Sequence, residues 1–198
     1  MLNLRTARML TDYKRWADRR LFDSLAALPP GEVYKDRVSV FKNMIGTLNH
    51  IYIVDCIWQA HLDGRGHGFK TSHDLLHPDL PELRLAQNDI DNWYCKWTAW
   101  QTDASLEKAV EFTFVSGESA TMSAGEMLLH VVNHASYHRG WVIQMYFEIP
   151  AMPPVTDMPV YLREAAPGAF LSLDRPAMAP TCVGRYASAT NVLPDRYR

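Results

Sequence analysis

The sequence predicts an all-α protein built on a four-helix bundle. Four long segments repeat apolar residues at intervals of three and four, as the buried face of an amphipathic helix requires. A long polar loop separates the second segment from the third, and a short alternating segment of hairpin type separates the third from the fourth. Four helices of this kind bury their apolar stripes by packing against one another, which predicts a bundle with a small β-hairpin before its fourth helix.

The first two helices are predicted from apolar periodicity and from the residues that end it. The first is expected over residues 4–28, because the Pro-Pro-Gly sequence that follows stops a helix. The second is expected from Ser39, a suitable N-terminal cap, to about residue 62. Its apolar residues cover a wide arc of the helix surface, which predicts that this helix is well buried.

The second half of the bundle begins after the polar loop at residues 63–81. A third helix is expected over residues 82–102. Residues 110–115 alternate apolar and polar side chains, and a Ser-Gly-Glu turn with a returning segment at residues 119–122 completes a hairpin.

The fourth helix is predicted over residues 123–147 by both its start signal and its periodicity. Ser123 is followed three residues later by Glu126, the pattern of a capping box. We therefore place the bundle domain at residues 1–166. Residues 167–198 are rich in Pro, Ala and Ser, and we expect them to form an extended C-terminal tail that packs on the body or on a partner subunit.

Composition excludes several classes of protein. Hydrophobic residues make up 47% of the chain, enough for a sizeable core. The 20 Lys and Arg against 22 Asp and Glu give a net charge of -2, whereas nucleic-acid binding needs a basic surface. The three cysteines form no CxxC pair, so neither disulfides nor a cysteine-rich zinc site is expected. No secretion signal or membrane span is evident, and we expect a soluble cytoplasmic protein.

Histidines on the fourth helix carry the strongest chemical signal. His130, His134 and His138 recur every fourth residue, so neighbouring rings lie one turn apart on nearly the same face. A pair of His four residues apart is a common way for a helix to offer two nitrogens to one metal ion. His138 also falls on the apolar stripe, where an unpaired polar ring is costly. The spacing alone is also compatible with core histidines that bond to a carbonyl or a carboxylate.

The second helix offers a third ligand. His50 lies within its apolar arc, and Gly46, one turn earlier, leaves space for a ring or an ion. A metal site held by protein side chains commonly has at least three such ligands. The remaining histidines, at positions 61, 67, 73 and 77, are expected to be solvated.

Several short motifs occur together in a fixed order. They are Tyr-Lys-Arg-Trp-Ala at residues 13–17, His50 followed by Asp55 and Trp58, His134-x-x-x-His138-Arg139-Gly140 after the hairpin, and Pro154-x-x-Asp157. As a set, over about residues 3–165, they resemble the DinB family of metalloenzymes. The resemblance implies a four-helix bundle, often dimeric, in which His50, His134 and His138 hold one divalent metal ion. His130 is then a packed imidazole and not a ligand.

The same resemblance suggests a chemistry. Characterised relatives of this type resemble transferases and isomerases that activate a low-molecular-weight thiol. The sequence therefore predicts a Zn, Ni or Fe ion that activates a thiol cosubstrate or water, in a thiol S-transferase or a hydrolase acting on a small molecule. The alternatives are a non-catalytic stress protein that binds a metal or a small ligand, and a helical dimerisation module with incidental histidines. A homodimer is expected.

Three further residues are candidates for roles at this site. Arg139 is either a surface charge or, beside a metal, a group that positions an anionic part of the substrate. Tyr52 is a candidate general base, and is assigned with Arg139 to the catalytic set. Trp141 stands where the family commonly has Gln, nearly on the face of His134, and is predicted to form an aromatic wall of the cofactor pocket.

Overall fold

The computed structural model describes residues 2–170 of the chain. Its elements are α1 (Leu4–Ala26), a 3-10 turn (Glu32–Tyr34), α2 (Met44–Leu62), α3 (Leu80–Ala99), α4 (Asp103–Leu106), β1 (Ala109–Thr113), β2 (Ser119–Ser123), α5 (Ala124–Tyr146) and α6 (Met158–Glu164). The predicted all-α fold with a hairpin before the last long helix is confirmed. The short helix α4 and the 3-10 turn were not predicted. The expected tail lies, from residue 171 onward, outside the described residues.

The four long helices form a closed ring. Helix α1 packs against α3 and α5, and α2 packs against the same two helices from the other side. Each helix contributes apolar residues to a shared core cluster, among them Leu21 of α1, Ile51 of α2, Leu83 of α3 and Val142 of α5. All four side chains are buried. This arrangement brings α2 and α5 side by side, and these are the two helices that carry the predicted ligands.

Helix α5 begins where its capping box predicts. The Ser123 hydroxyl accepts a hydrogen bond from the Glu126 amide at 3.2 Å, and the Glu126 carboxylate accepts one from the Ser123 amide at 2.7 Å. Two of the amides left without partners at the start of the helix are thereby satisfied. The register of α5, and with it the direction of its histidines, is fixed from this end.

Helix α2 begins later than predicted. Its N-terminal cap is Asn43, whose side chain accepts a hydrogen bond from the Gly46 amide at 2.9 Å, and not Ser39. The preceding turn passes close to the first turn of the helix. A Cβ atom at Gly46 would lie 2.2 Å from the carbonyl oxygen of Phe41, so only glycine permits this approach. Gly46 thus makes room for the Phe41 backbone, and not for an ion as the sequence suggested.

The hairpin packs over the ends of α2 and α5. Its strands pair antiparallel, with Ala109 opposite Ser123 and Thr113 opposite Ser119. Phe112 of β1 is buried, and its ring centroid lies 5.0 Å from that of Trp58 on α2. None of the helices between residues 2 and 170 combines the length and the apolar character that crossing a membrane requires.

Candidate metal centre

Helices α2 and α5 bring three histidines together. One ring nitrogen from each of His50, His134 and His138 lies within 4.8 Å of those of the other two. The Nε2 atoms of His50 and His134 are 3.1 Å apart, and the ring centroids of His134 and His138 are 4.5 Å apart. The two α5 rings converge because they are one helical turn apart. Among residues 2–170, no fourth His, Cys, Asp or Glu joins this cluster.

The orientation of His50 is set by the loop between α2 and α3. Its Nδ1 lies 2.8 Å from the carbonyl oxygen of Ser72. A carbonyl oxygen only accepts, so Nδ1 carries the proton and Nε2 presents a lone pair to the other rings. The loop is held by Asn49, whose side chain donates to the His77 carbonyl and accepts from the His77 amide, both at 2.9 Å. A carbonyl that fixes the ring of a ligating histidine is a common feature of metal sites.

All three imidazoles are neutral. Burial, together with the neighbouring His138 and His50, lowers the pKa of His134 to about 2. Burial and the nearby His50 lower the pKa of His138 to about 4, and burial lowers that of His50. A metal ion binds only the unprotonated nitrogen, so these rings are ready to act as ligands at neutral pH.

The donor set fits a divalent metal ion. The Nδ1 atoms of His134 and His138 are buried and have no hydrogen-bond partner among the described residues. Core histidines normally bond to a carbonyl or a carboxylate, and these two rings have no such partner. His50 bonds to a carbonyl through Nδ1 alone, and the nitrogens with which the three neutral imidazoles face one another are better explained by a shared cation.

Aromatic side chains surround the three histidines. The Phe41 ring stacks on His50, with 4.2 Å between centroids, and lies 5.6 Å from His138. The Trp141 ring centroid is 4.7 Å from that of His138 and 5.8 Å from that of Phe41. Trp141 also lines a cavity of about 780 Å³. Its predicted place beside the metal centre agrees with this geometry, and its role as a wall for a cofactor remains a prediction.

Arg139 occupies a different position from the one expected. Its guanidinium is buried, donates to Asp18 at 2.9 Å and also bonds to Tyr13 and Ser136. Adjacent residues on a helix point about 100° apart, so Arg139 faces α1 while His138 faces α2. This placement gives Arg139 a structural role in place of the substrate contact predicted from the sequence.

The positions of Tyr52 and His61 in the structure correct two other sequence predictions. The Tyr52 ring contacts His77, at 5.2 Å between centroids, and its hydroxyl lies beside Cys56 and not beside the three histidines. Burial raises the pKa of Tyr52, so its hydroxyl stays protonated and does not serve as a general base there. His61 is not a solvated loop residue, because α2 continues past it and its side chain is buried.

A buried ionic network connects the four long helices. Lys14 of α1 bonds to Asp18 at 3.0 Å, to Asp55 of α2 at 2.7 Å and to Asp91 of α3, while Arg139 of α5 pairs with Asp18. Burial raises the pKa of Asp55, and raises that of Asp91 to about 7. Burial would also raise the pKa of Asp18, but Lys14 and Arg139 outweigh it and lower that pKa. Sequence reasoning missed this network.

Comparison with known proteins gives the chain a family. The family model described as the DinB family matches residues 1–169. Protein DinB of Bacillus subtilis (strain 168) is 27% identical over 162 residues, which cover 77% of this chain and 91% of the relative. The matched region contains the four long helices, the hairpin and all three histidines of the candidate metal centre. The chain therefore belongs to the DinB family.

Proposed function

We propose that this protein is a divalent-metal-dependent enzyme in which His50, His134 and His138 hold the ion. The observation that carries the proposal is the convergence of three neutral imidazole nitrogens from two helices within 4.8 Å of one another. Imidazole ligands suit Zn, Ni and Fe. Three protein ligands are typical of catalytic zinc sites, whereas structural sites have four.

The reaction that fits this site is transfer to or from a low-molecular-weight thiol, with hydrolysis as the variant in which water replaces the thiol. When bound, the ion would act as a Lewis acid that lowers the pKa of such a thiol or water. The protein side chains orient and shield this centre. The Ser72 carbonyl holds His50 in one tautomer, and the rings of Phe41 and Trp141 limit the access of bulk water.

Metal titration tests the ligand set. Metal-free protein is titrated with zinc by isothermal calorimetry, and we expect one ion per chain. His138→Ala removes a ligand and is expected to weaken zinc binding by about 100-fold, since losing even an indirect contact costs roughly 10–100-fold. His130→Ala is the matched control, because His130 lies on the same helix but outside the cluster. Equal affinity in His138→Ala and the unaltered protein would disprove the ligand assignment.

A second measurement separates an enzyme from a binding protein. In the Co(II)-loaded protein, L-cysteine is expected to change the visible spectrum, because an exchangeable position is available to the thiol. A screen for thiol conjugation by the zinc-loaded protein, with His138→Ala as the inactive reference, then tests turnover. A spectrum that no thiol or anion changes, together with no turnover, would favour the non-catalytic stress protein that binds a metal or a small ligand.

A further inference from the structure

An apolar cavity of about 530 Å³ adjoins the metal centre. It lies between the β-hairpin and helices α2 and α5, and His134 and Ser72 are among the residues that line it. His134 is a predicted metal ligand and the Ser72 carbonyl orients another. The cavity therefore extends from the hairpin to the edge of the metal centre.

The walls of the cavity are mainly hydrocarbon. Its apolar lining consists of Val54, Ile57, Trp58, Phe112, Phe114 and Val115. Small-molecule sites are cavities of roughly 300–1,000 Å³ with mostly hydrophobic and aromatic walls and a few polar groups, and this one has that size and composition. The polar lining residues lie partly at the hairpin turn, with Ser116 and Glu118, and partly on the side of the histidines and Ser72.

The charges of the side chains that line the cavity indicate whether a charged or an uncharged ligand fits it. Among the described residues no Lys or Arg lines it, and the one carboxylate in the lining belongs to Glu118 at the hairpin turn. Burial lowers the pKa of His61, so this imidazole is neutral as well. Away from the metal end of the cavity, a carboxylate or a phosphate would be desolvated without a counter-ion, which is costly. An uncharged apolar molecule pays no such penalty.

We propose that this cavity binds the aromatic or apolar part of an uncharged organic substrate, whose reacting end reaches the metal centre beside His134. The inference rests on the proposed metal-dependent function and names the class of its second substrate. The proposed site also explains why Phe114, a large apolar side chain on the hairpin, is 43% exposed. The Phe114 ring lies 4.9 Å from that of buried Phe112 and extends the aromatic wall outward.

Binding of a neutral fluorescent probe tests the cavity without a metal. N-phenyl-1-naphthylamine is uncharged and fluoresces in apolar sites. We expect it to bind metal-free protein, and we expect Phe114→Asp to weaken this binding by about tenfold, since burying one aromatic ring is worth about that factor or more. Phe147→Asp is the matched control, because Phe147 is 71% exposed and does not line the cavity. The sulfonated analogue 1-anilinonaphthalene-8-sulfonate is expected to bind more weakly to the unaltered protein.

A pair of metal-binding probes tests the connection to the metal centre. Benzohydroxamate and acetohydroxamate share one chelating group and differ by a phenyl ring. We expect benzohydroxamate to bind the zinc-loaded protein about tenfold more tightly, and Phe114→Asp to remove most of that difference. Equal affinities for the two hydroxamates, or equal loss of naphthylamine binding in Phe114→Asp and Phe147→Asp, would overturn the inference.

The two proposals fail separately. If zinc binds but the naphthylamine does not, the apolar substrate site is wrong and the metal function stands. If the naphthylamine binds as expected but zinc does not, the metal function is wrong, and with it the assignment of the cavity to the second substrate.

Discussion

The Nε2 atoms of His50 and His134 face each other at 3.1 Å across two helices, although the residues are 84 positions apart in the chain. Burial lowers the pKa of both rings, so both are neutral at pH 7. The Ser72 carbonyl accepts a hydrogen bond from Nδ1–H of His50, so the His50 nitrogen that faces His134 carries a lone pair. The site is therefore suited to a cation bound between these nitrogens. It is not suited to two protonated rings, whose positive charges would lie side by side.

The metal-free protein should lose stability through His134 as the pH falls. Its pKa is about 2 in the folded chain and about 6.5 in an unfolded one, so the unfolded chain takes up a proton that the folded chain excludes. The resulting stability is complete above pH 6.5 and decreases toward acid, by at most about 1.4 kcal/mol per pH unit. Urea unfolding in the presence of EDTA, between pH 7 and pH 5, measures this slope.

Comparison with His134→Gln isolates this effect from other titrating groups. Asp91 opposes it, since its raised folded pKa of about 7 stabilises the protein below that pH, and this stabilisation is lost as the pH rises through 7. Both proteins keep the Asp91 contribution. The expected result is a shallower loss of stability toward acid in His134→Gln, and identical slopes would contradict a half-buried His134 that is neutral in the folded chain.

Lys14 should contribute strongly to stability. Lys14→Met leaves Asp18, Asp55 and Asp91 buried without their shared cation, and breaking a buried ionic group in this way costs about 3–5 kcal/mol. Arg15→Met is the control, because that neighbouring side chain is partly exposed and pairs with Asp12 near the surface. Urea denaturation of the two variants measures the difference.

A milder change in the same ionic network is expected to cost less stability. Asp91→Asn removes one of three carboxylates that share two cations, and the pKa of Asp91 is already raised to about 7. We therefore expect a cost of no more than about 1 kcal/mol, the usual net value of one hydrogen bond. A loss as large as that of Lys14→Met would show that the ionised Asp91 is needed for folding.

The sequence predicts the helices and histidines because both depend on local spacing. Apolar periodicity locates α1, α2, α3 and α5, and the four-residue repeat places His134 beside His138. The role of Arg139 was misjudged because adjacency in sequence suggested adjacency in space, whereas successive helical side chains point in different directions. The hydrogen bond from His50 to Ser72 and the ion pairs of Lys14 form where separate helices and a long loop pack together. No local sequence pattern predicts that packing.

The two hydrogen bonds between the Asn49 side chain and the His77 backbone should control metal affinity. Asn49→Ala removes both hydrogen bonds to the His77 backbone, which releases the loop whose Ser72 carbonyl orients His50. Zinc affinity is expected to fall by roughly 10–100-fold, as for other residues that orient a ligand. His77→Ala keeps both bonds, because they involve only the His77 backbone, and should bind zinc like the unaltered protein. Calorimetric titration of the two variants separates a specific clamp from a general effect of altering the loop.

Two glycine substitutions should have opposite effects on stability. At Gly46 an added Cβ would lie 2.2 Å from the Phe41 carbonyl oxygen, so Gly46→Ala must displace that backbone, at a cost of about 1–3 kcal/mol for overpacking. The Phe41 ring stacks on His50, so displacing the Phe41 backbone also disturbs this contact. Gly140 lies within α5, and in the described part of the chain no atom outside its own helical turn lies within 4 Å of an added Cβ, so Gly140→Ala gains helix propensity worth about 1 kcal/mol. Thermal unfolding of both variants checks the signs, and a neutral Gly46→Ala would show that the Phe41 turn does not need its close approach to α2.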